Sequence, residues 1–162
     1  EAEDYFLPYF DGPITCLRLL HYPAMKETPA TGDVDLYGIN PHTDYGFITI
    51  LAQDEVGGLE IQAVDGTWLP APSLPGTLIV NIADALARWT NGVFNSTPHR
   101  VINKTNDRSR YSVAMFFDPN FDADIECLDQ FIENGGSAKH SPIRYGEYLQ
   151  ERLDSNFPDR TG

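Results

Sequence analysis

The stretch Asn40-Pro41-His42-Thr43-Asp44-Tyr45-Gly46 decides most about this chain, together with Thr97-Pro98-His99-Arg100 further on. A β-strand projects alternate side chains to one face, so His42 and Asp44 can both point inward while the residue between them points away. Imidazole nitrogens and carboxylate oxygens are ligands that proteins offer to divalent transition metals. We therefore expect His42, Asp44 and His99 to converge on one metal ion.

Two imidazoles and one carboxylate on the same side of a metal form the facial triad of non-haem Fe(II) sites, which leaves three coordination positions open. Open positions allow O2 and a second molecule to bind the same ion. An isolated His-x-Asp pair is weak evidence for a metal site because it occurs by chance in many chains. A carboxylate such as Asp44 would, however, cost several kcal/mol if it were buried without a cation, which favours a bound metal.

Length and composition set broad limits. The 162 residues suit one domain with a real core, and we expect a single domain over 1–162 with its core at about 14–119. No run approaches the ~18–20 apolar residues that span a membrane. The net charge of −13 argues against a nucleic-acid partner, which would require a basic face. Cys16 and Cys127 lie far apart without metal-ligand spacing, which predicts a reducing, cytoplasmic location.

Short strands dominate the pattern of the chain. Eight segments have strand composition: residues 14–21, 36–40, 47–52, 58–64, 67–69, 77–82, 99–104 and 110–117. Asp65-Gly66, between the fourth and the fifth, is a two-residue hairpin signal. This succession of strands and turns predicts a mainly β fold, a double-stranded β-helix or jelly roll.

Two helices are predicted beside these strands. Residues 84–89 form a short helix that ends at Asn91-Gly92. A C-terminal helix is predicted over about 142–154, with Ser141 as N-cap and Pro142 at its first position.

Arg110 and Ser112 are two residues apart on a predicted strand and therefore share a face. A guanidinium that points into the interior is costly unless an anion meets it. The anion could be an internal aspartate, or it could be the carboxylate of a ligand, which the planar guanidinium can bind in bidentate fashion.

These motifs, in this order and spacing, resemble the 2-oxoglutarate- and Fe(II)-dependent dioxygenases of the isopenicillin-N-synthase-like superfamily. The resemblance covers the chain from Leu17 to about Pro119. It is carried by the two histidine stretches, by Arg110-Tyr111-Ser112, and by LRLLHYP (17–23), GGLEIQ (57–62), VNIAD (80–84), WTNG (89–92) and FFDP (116–119).

The resemblance implies specific ligands. It implies that Fe(II) is held by the triad and that Arg110 and Ser112 grip the distal carboxylate of 2-oxoglutarate, the co-substrate used with O2. It further implies that Tyr22 hydrogen-bonds the same co-substrate. Asn81 matches a polar position beside the iron, where it either donates to co-substrate or water or is an interior amide satisfied by the protein. Relatives often have asparagine two residues before this tyrosine, where this chain has Leu20.

The activity implied is oxidative decarboxylation of 2-oxoglutarate to succinate and CO2, coupled to oxidation, usually hydroxylation, of a small organic substrate. Two alternatives remain open. Some relatives keep the triad and an Arg-x-Ser pair yet oxidise their substrate without 2-oxoglutarate. The chain could also bind metal without turnover, as an inactive fragment.

The fragment interpretation comes from the start of the chain. Relatives usually carry a substantial segment before the strand at Leu17, and its helices pack on the outer sheet. Here that segment is almost absent, so we expect a chain that lacks most of the family's N-terminal region. The sheet face left uncovered would be apolar, which predicts possible self-association.

Overall fold

The structure is a computed structural model that describes residues 3–24, 37–103, 108–132 and 136–156. Its strands are β1 (Ile14–Tyr22), β2 (Tyr37–His42), β3 (Ile48–Gln53), β4 (Leu59–Gln62), β5 (Trp68–Pro70), β6 (Ile79–Ile82), β7 (His99–Ile102), β8 (Arg110–Asp118), β9 (Asp124–Ile125) and β10 (Ile143–Arg144). Its helices are α1 (Asp84–Trp89), which has the predicted bounds, and α2 (Tyr145–Asn156).

Two four-stranded antiparallel sheets form the body of the molecule, in the orders β1-β8-β3-β6 and β2-β7-β4-β5. Consecutive strands from β1 to β8 lie in opposite sheets, except for the paired strands β4 and β5, because the chain crosses repeatedly from one sheet to the other, as in a jelly roll. The predicted double-stranded β-helix is therefore confirmed. Each predicted strand overlaps an observed one, although residues 36 and 104 lie outside the described ranges.

The predicted hairpin between β4 and β5 is present with a longer loop than expected. The Ala63 amide donates to the Thr67 carbonyl over 2.8 Å, and the Gly66 amide donates to the Ala63 carbonyl over 2.9 Å. Three residues therefore lie in the loop instead of two. Gly66 has a φ of 86°, a left-handed conformation that closes a three-residue turn and that glycine adopts without strain.

The predicted start of the C-terminal helix is wrong. Ile143 and Arg144 are extended and pair with β9, and α2 begins only at Tyr145. Ser141 and Pro142 are therefore not its N-cap and first residue. The first amides of α2, those of Tyr145 and Gly146, donate to backbone carbonyls of Ala123 and Phe121, so a neighbouring loop takes the role predicted for a side-chain cap. No helix in the described part of the chain is long and apolar enough to cross a membrane.

The described residues form two apolar clusters. The larger one joins α1, α2 and β9 around Trp89 and Tyr145, neither of which is exposed. The smaller one consists of Tyr22, Leu59 and Val101 and lies between the two sheets. The smaller cluster lines the cavity that contains the candidate site, whereas no residue of the larger cluster does.

The face of the β1-β8 sheet that points away from the cavity is apolar and exposed. We call it the outer face and define it by its large side chains, Leu17, Leu19, Tyr111, Val113 and Met115. Leu19 is 76% exposed. The uncovered apolar face expected from the sequence is therefore present among the described residues.

Candidate active site

The predicted metal ligands meet at one point between the sheets. His42 ends β2 and His99 begins β7, and the two are direct partners across the ladder, with ring centroids 4.3 Å apart. Asp44 Oδ1 lies 3.7 Å from His42 Nε2 and 3.6 Å from His99 Nε2. Ligand atoms of the three residues all lie within 4.8 Å of one another, a spacing that one first-row ion with N and O ligands can bridge.

Backbone contacts set the orientation of both imidazoles. His42 Nδ1 lies 2.7 Å from the Asn40 carbonyl, and His99 Nδ1 lies 3.1 Å from the Thr97 carbonyl. An Nδ1–H that donates to a carbonyl leaves Nε2 with its lone pair free, and both Nε2 atoms face Asp44. Burial lowers the pKa of His42, which favours the neutral ring that a metal requires.

The other oxygen of Asp44 is held by two side chains. Asp44 is buried, and its Oδ2 accepts from Thr49 Oγ1 over 2.6 Å and from Asn81 Nδ2 over 2.9 Å. Thr49 and Asn81 are cross-strand partners on β3 and β6, so the two donors lie side by side. These bonds aim Oδ1 at the histidines, which is the arrangement that a ligating carboxylate needs.

The Asn81 amide donates one hydrogen bond to Asp44. It carries a second N–H, so donation to co-substrate or water stays a prediction. Thr49 was not singled out from the sequence. The available signal was a polar residue on the inward face of an otherwise apolar strand.

A cavity of about 270 Å³ lies between the sheets and contains the triad. All seven residues singled out from the sequence line it: Tyr22, His42, Asp44, Asn81, His99, Arg110 and Ser112. Residues that are far apart in the chain thus converge on one cavity.

Arg110 forms one end of this cavity. It is buried, its Nη1 donates to Ser112 Oγ over 3.1 Å, and its Nη2 donates to Gln53 Oε1 over 3.0 Å. Its guanidinium carbon lies 4.8 Å from the ring centroid of Tyr22. Arg110 makes no ion pair with a carboxylate in the described ranges, so the internal salt bridge is not formed there.

Two polar atoms at this end have no partner within the described structure. Arg110 Nε and Tyr22 Oη are both buried without a hydrogen bond. Burial lowers the pKa of Arg110, yet a guanidinium stays charged at neutral pH. A buried cation with spare donors and no counter-ion fits a ligand carboxylate at this position.

The fold is a double-stranded β-helix, and one cavity in it contains both a His-Asp-His cluster that could hold a metal ion and a buried arginine. The family model for the 2OG-Fe(II) oxygenase superfamily matches residues 13–119. The chain belongs to this superfamily, and the family predicted from the sequence motifs is thereby confirmed.

Individual relatives agree with this assignment. A homoarginine-6-hydroxylase from Oryza sativa subsp. japonica is 40% identical over 147 residues, which cover 90% of this chain and 44% of the relative. A probable iron/ascorbate oxidoreductase from Dictyostelium discoideum is 38% identical, with 98% of this chain and 49% of the relative covered. The crystal structure of a full-length Neurospora crassa protein in complex with alpha-KG superposes with a TM-score of 0.85 at 37% identity, covering 93% of this chain and 47% of that protein. The chain thus spans about half the length of the relatives it matches.

Proposed function

We propose that this protein uses Fe(II) and 2-oxoglutarate to oxidise a small organic substrate with O2. In this proposal His42, Asp44 and His99 bind the iron, and Arg110 binds the far carboxylate of the co-substrate with the help of Ser112. Tyr22 lies beside that carboxylate. Asn81 supports the iron ligand Asp44 and contacts co-substrate or water from the same position.

The observation that carries the proposal is the buried Arg110, which has no acidic partner among the described residues and lies in the same cavity as the triad. A metal site alone would suit many functions. A second, separate anchor for a carboxylate suits a dicarboxylate that reaches the metal with its other end. The Ser112 hydroxyl accepts from Arg110, so its own proton remains available for the same carboxylate.

The residues of this chain bind and orient the reactants. The redox chemistry would come from the metal and the co-substrate when they are bound. One oxygen atom of O2 would enter succinate as 2-oxoglutarate loses CO2, and the other would enter the substrate. Thr49 and Asn81 keep the Asp44 carboxylate in position through the reaction. The two sheets limit access of water, which protects a reactive site from side reactions.

A small molecule is the substrate class that the cavity supports. A volume of about 270 Å³ accommodates a small molecule beside the co-substrate. Some relatives bear the name homoarginine-6-hydroxylase, and a second structure of the Neurospora crassa protein contains thymine. We take these two compounds as the first candidates for this chain.

The test is succinate production by purified protein supplied with Fe(II), 2-oxoglutarate and O2, with and without homoarginine or thymine. We expect succinate to require all three components, to increase with substrate, and to be lost in His99→Ala. The matched control is His140→Ala, because His140 is exposed and outside the cavity. Substrate oxidation without 2-oxoglutarate would point to an oxidase of the same superfamily. Iron binding without succinate formation under any condition would identify an inactive metal-binding chain.

Two finer proposals accompany this one. Cys16 and Cys127 are free thiols, which supports a reducing, cytoplasmic location. The outer face supports self-association of two copies. Sedimentation velocity of the wild type and of Leu19→Lys tests this second proposal. A wild type that stays monomeric at all concentrations would contradict it.

A further inference from the structure

Arg18 is a second arginine of the cavity, and the triad and the co-substrate pocket leave it without a role. It lies in the middle of β1 and lines the same space as the metal ligands. Strand alternation puts Arg18 on the inward face with Leu20 and Tyr22, while Leu19 lies on the outer face. The Arg18 side chain is exposed, so its charge is accessible to a ligand that enters the cavity.

The Arg18 guanidinium has no hydrogen bond, ion pair or ring contact with any residue in the ranges that the structure describes. This is informative because the chain carries 24 acidic residues against 11 Lys and Arg, so carboxylate partners are abundant. Arg100 pairs with Glu60, and Arg144 lies 3.7 Å from Asp124. Within the described parts of the chain, the Arg18 cation at the cavity is therefore left for a ligand.

Arg18 is also well separated from the co-substrate anchor. In the ladder between β1 and β8, Tyr22 pairs with Arg110 and Arg18 pairs with Ala114. Four residues of strand correspond to about 13 Å. Arg18 lies towards the metal ligands instead: its partner Ala114 is two residues from Phe116, which pairs with Thr49, the residue that donates to Asp44.

We propose that Arg18 binds a carboxylate of the primary substrate and so makes this protein selective for small carboxylic acids. The proposal rests on the proposed function, because it assigns the other anion pocket, at Arg110, to 2-oxoglutarate. A guanidinium offers paired donors that match a carboxylate, whereas a neutral amide or ester gains much less from the charge. The wall beside Arg18 is apolar at Leu20, Ile61 and Phe116, so the charge sets the orientation of the acid within the cavity.

The experiment compares matched acid and amide probes on the protein loaded with Fe(II) and 2-oxoglutarate without O2. The probes are homoarginine and its carboxamide, and phenylacetate and phenylacetamide. Each is titrated by calorimetry into the wild type, Arg18→Gln and Arg18→Lys. The control variant is Arg144→Gln, which removes an exposed arginine outside the cavity. The dissociation constant of 2-oxoglutarate is measured for every variant.

We expect the wild type and Arg144→Gln to bind at least one acid at least tenfold more tightly than its amide. Arg18→Gln loses this preference, Arg18→Lys retains part of it, and all variants bind 2-oxoglutarate within about twofold of one another. The proposal is wrong if no acid is preferred, if Arg18→Gln keeps the preference, or if Arg18→Gln weakens 2-oxoglutarate binding instead. A wild type that binds Fe(II) but not 2-oxoglutarate would overturn the proposed function itself, and with it the role of Arg18.

Discussion

The hydroxyl of Thr43 donates to Oδ2 of Asp84 over 3.1 Å, which ties the residue between two metal ligands to the first residue of α1. The same carboxylate accepts from Arg152 of α2 over 3.1 Å. The Arg152 guanidinium also lies 4.8 Å from the ring centroid of Tyr45. The C-terminal helix therefore braces the loop that carries Asp44, although neither Asp84 nor Arg152 reaches the metal position.

Removing this brace should weaken metal binding. In Asp84→Ala, Thr43 and Arg152 lose their common acceptor and the ligand loop is held less firmly. We expect Fe(II) affinity to fall by about tenfold, the lower end of the range for outer partners of metal ligands. Competition with a chromophoric chelator measures this. Asp154→Ala is the control because Asp154 accepts from Gln150 of the same helix, in a bond at the surface. Equal affinities in the two variants would show that the brace is irrelevant to the metal.

Thr49→Val tests the direct support of Asp44. Valine keeps the shape of threonine but removes the hydroxyl that donates to Asp44 Oδ2 over 2.6 Å. We expect a loss of about 10–100-fold in Fe(II) affinity, with the fold intact by circular dichroism. Thr15→Val makes the same chemical change at an exposed position of β1 and should leave affinity unchanged. A Thr49→Val protein with wild-type affinity would mean that Asn81 alone orients the ligand.

Gly46→Ala should destabilise the fold. A Cβ at Gly46 would overlap with the carboxylate of Asp118, which accepts from the Phe47 amide over 3.1 Å. Forcing these groups apart should cost about 1–3 kcal/mol, as overpacking does. Gly12→Ala is the matched control, because its nearest neighbour would lie at an ordinary 3.8 Å. Urea unfolding compares the two variants, and equal midpoints would contradict the prediction.

The sequence predicts the sheets and the ligands well because both follow from local patterns. Alternation along β8 accounts for Arg110 with Ser112, and both line the cavity. His42 and Asp44 line it too, but Asp44 lies two residues beyond the end of β2, so strand alternation is not what brings them together. Alternation along a strand does not predict which residue of a neighbouring strand lies opposite. Thr49 beside Asn81 depends on the pairing of β3 with β6, and that register exists only in the folded molecule.

The prediction of where α2 begins was wrong for a related reason. Ser141 and Pro142 have the local composition of a helix start. Ile143, however, pairs with Ile125 in a strand, and the sequence around Ile143 does not indicate this pairing. The two-residue strands β9 and β10 are too short to show any periodicity. The sequence does not distinguish Arg18, because an arginine on a strand is ordinary and its lack of partners among the described residues is visible only in the folded structure.

The central claim, a 2-oxoglutarate pocket built on Arg110, is tested most directly by anaerobic titration of the Fe(II)-loaded protein with 2-oxoglutarate, following the metal-to-ligand charge-transfer band. We expect the wild type to develop the band. Losing one member of a buried charge pair costs about 2–5 kcal/mol, so affinity should fall by roughly 30- to 4,000-fold in Arg110→Ala. Arg110→Lys should lie between the two, because lysine keeps the charge without the paired donors. Fe(II) affinity should remain nearly unchanged in both variants. An Arg110→Ala protein that chelates 2-oxoglutarate as tightly as the wild type would contradict the claim.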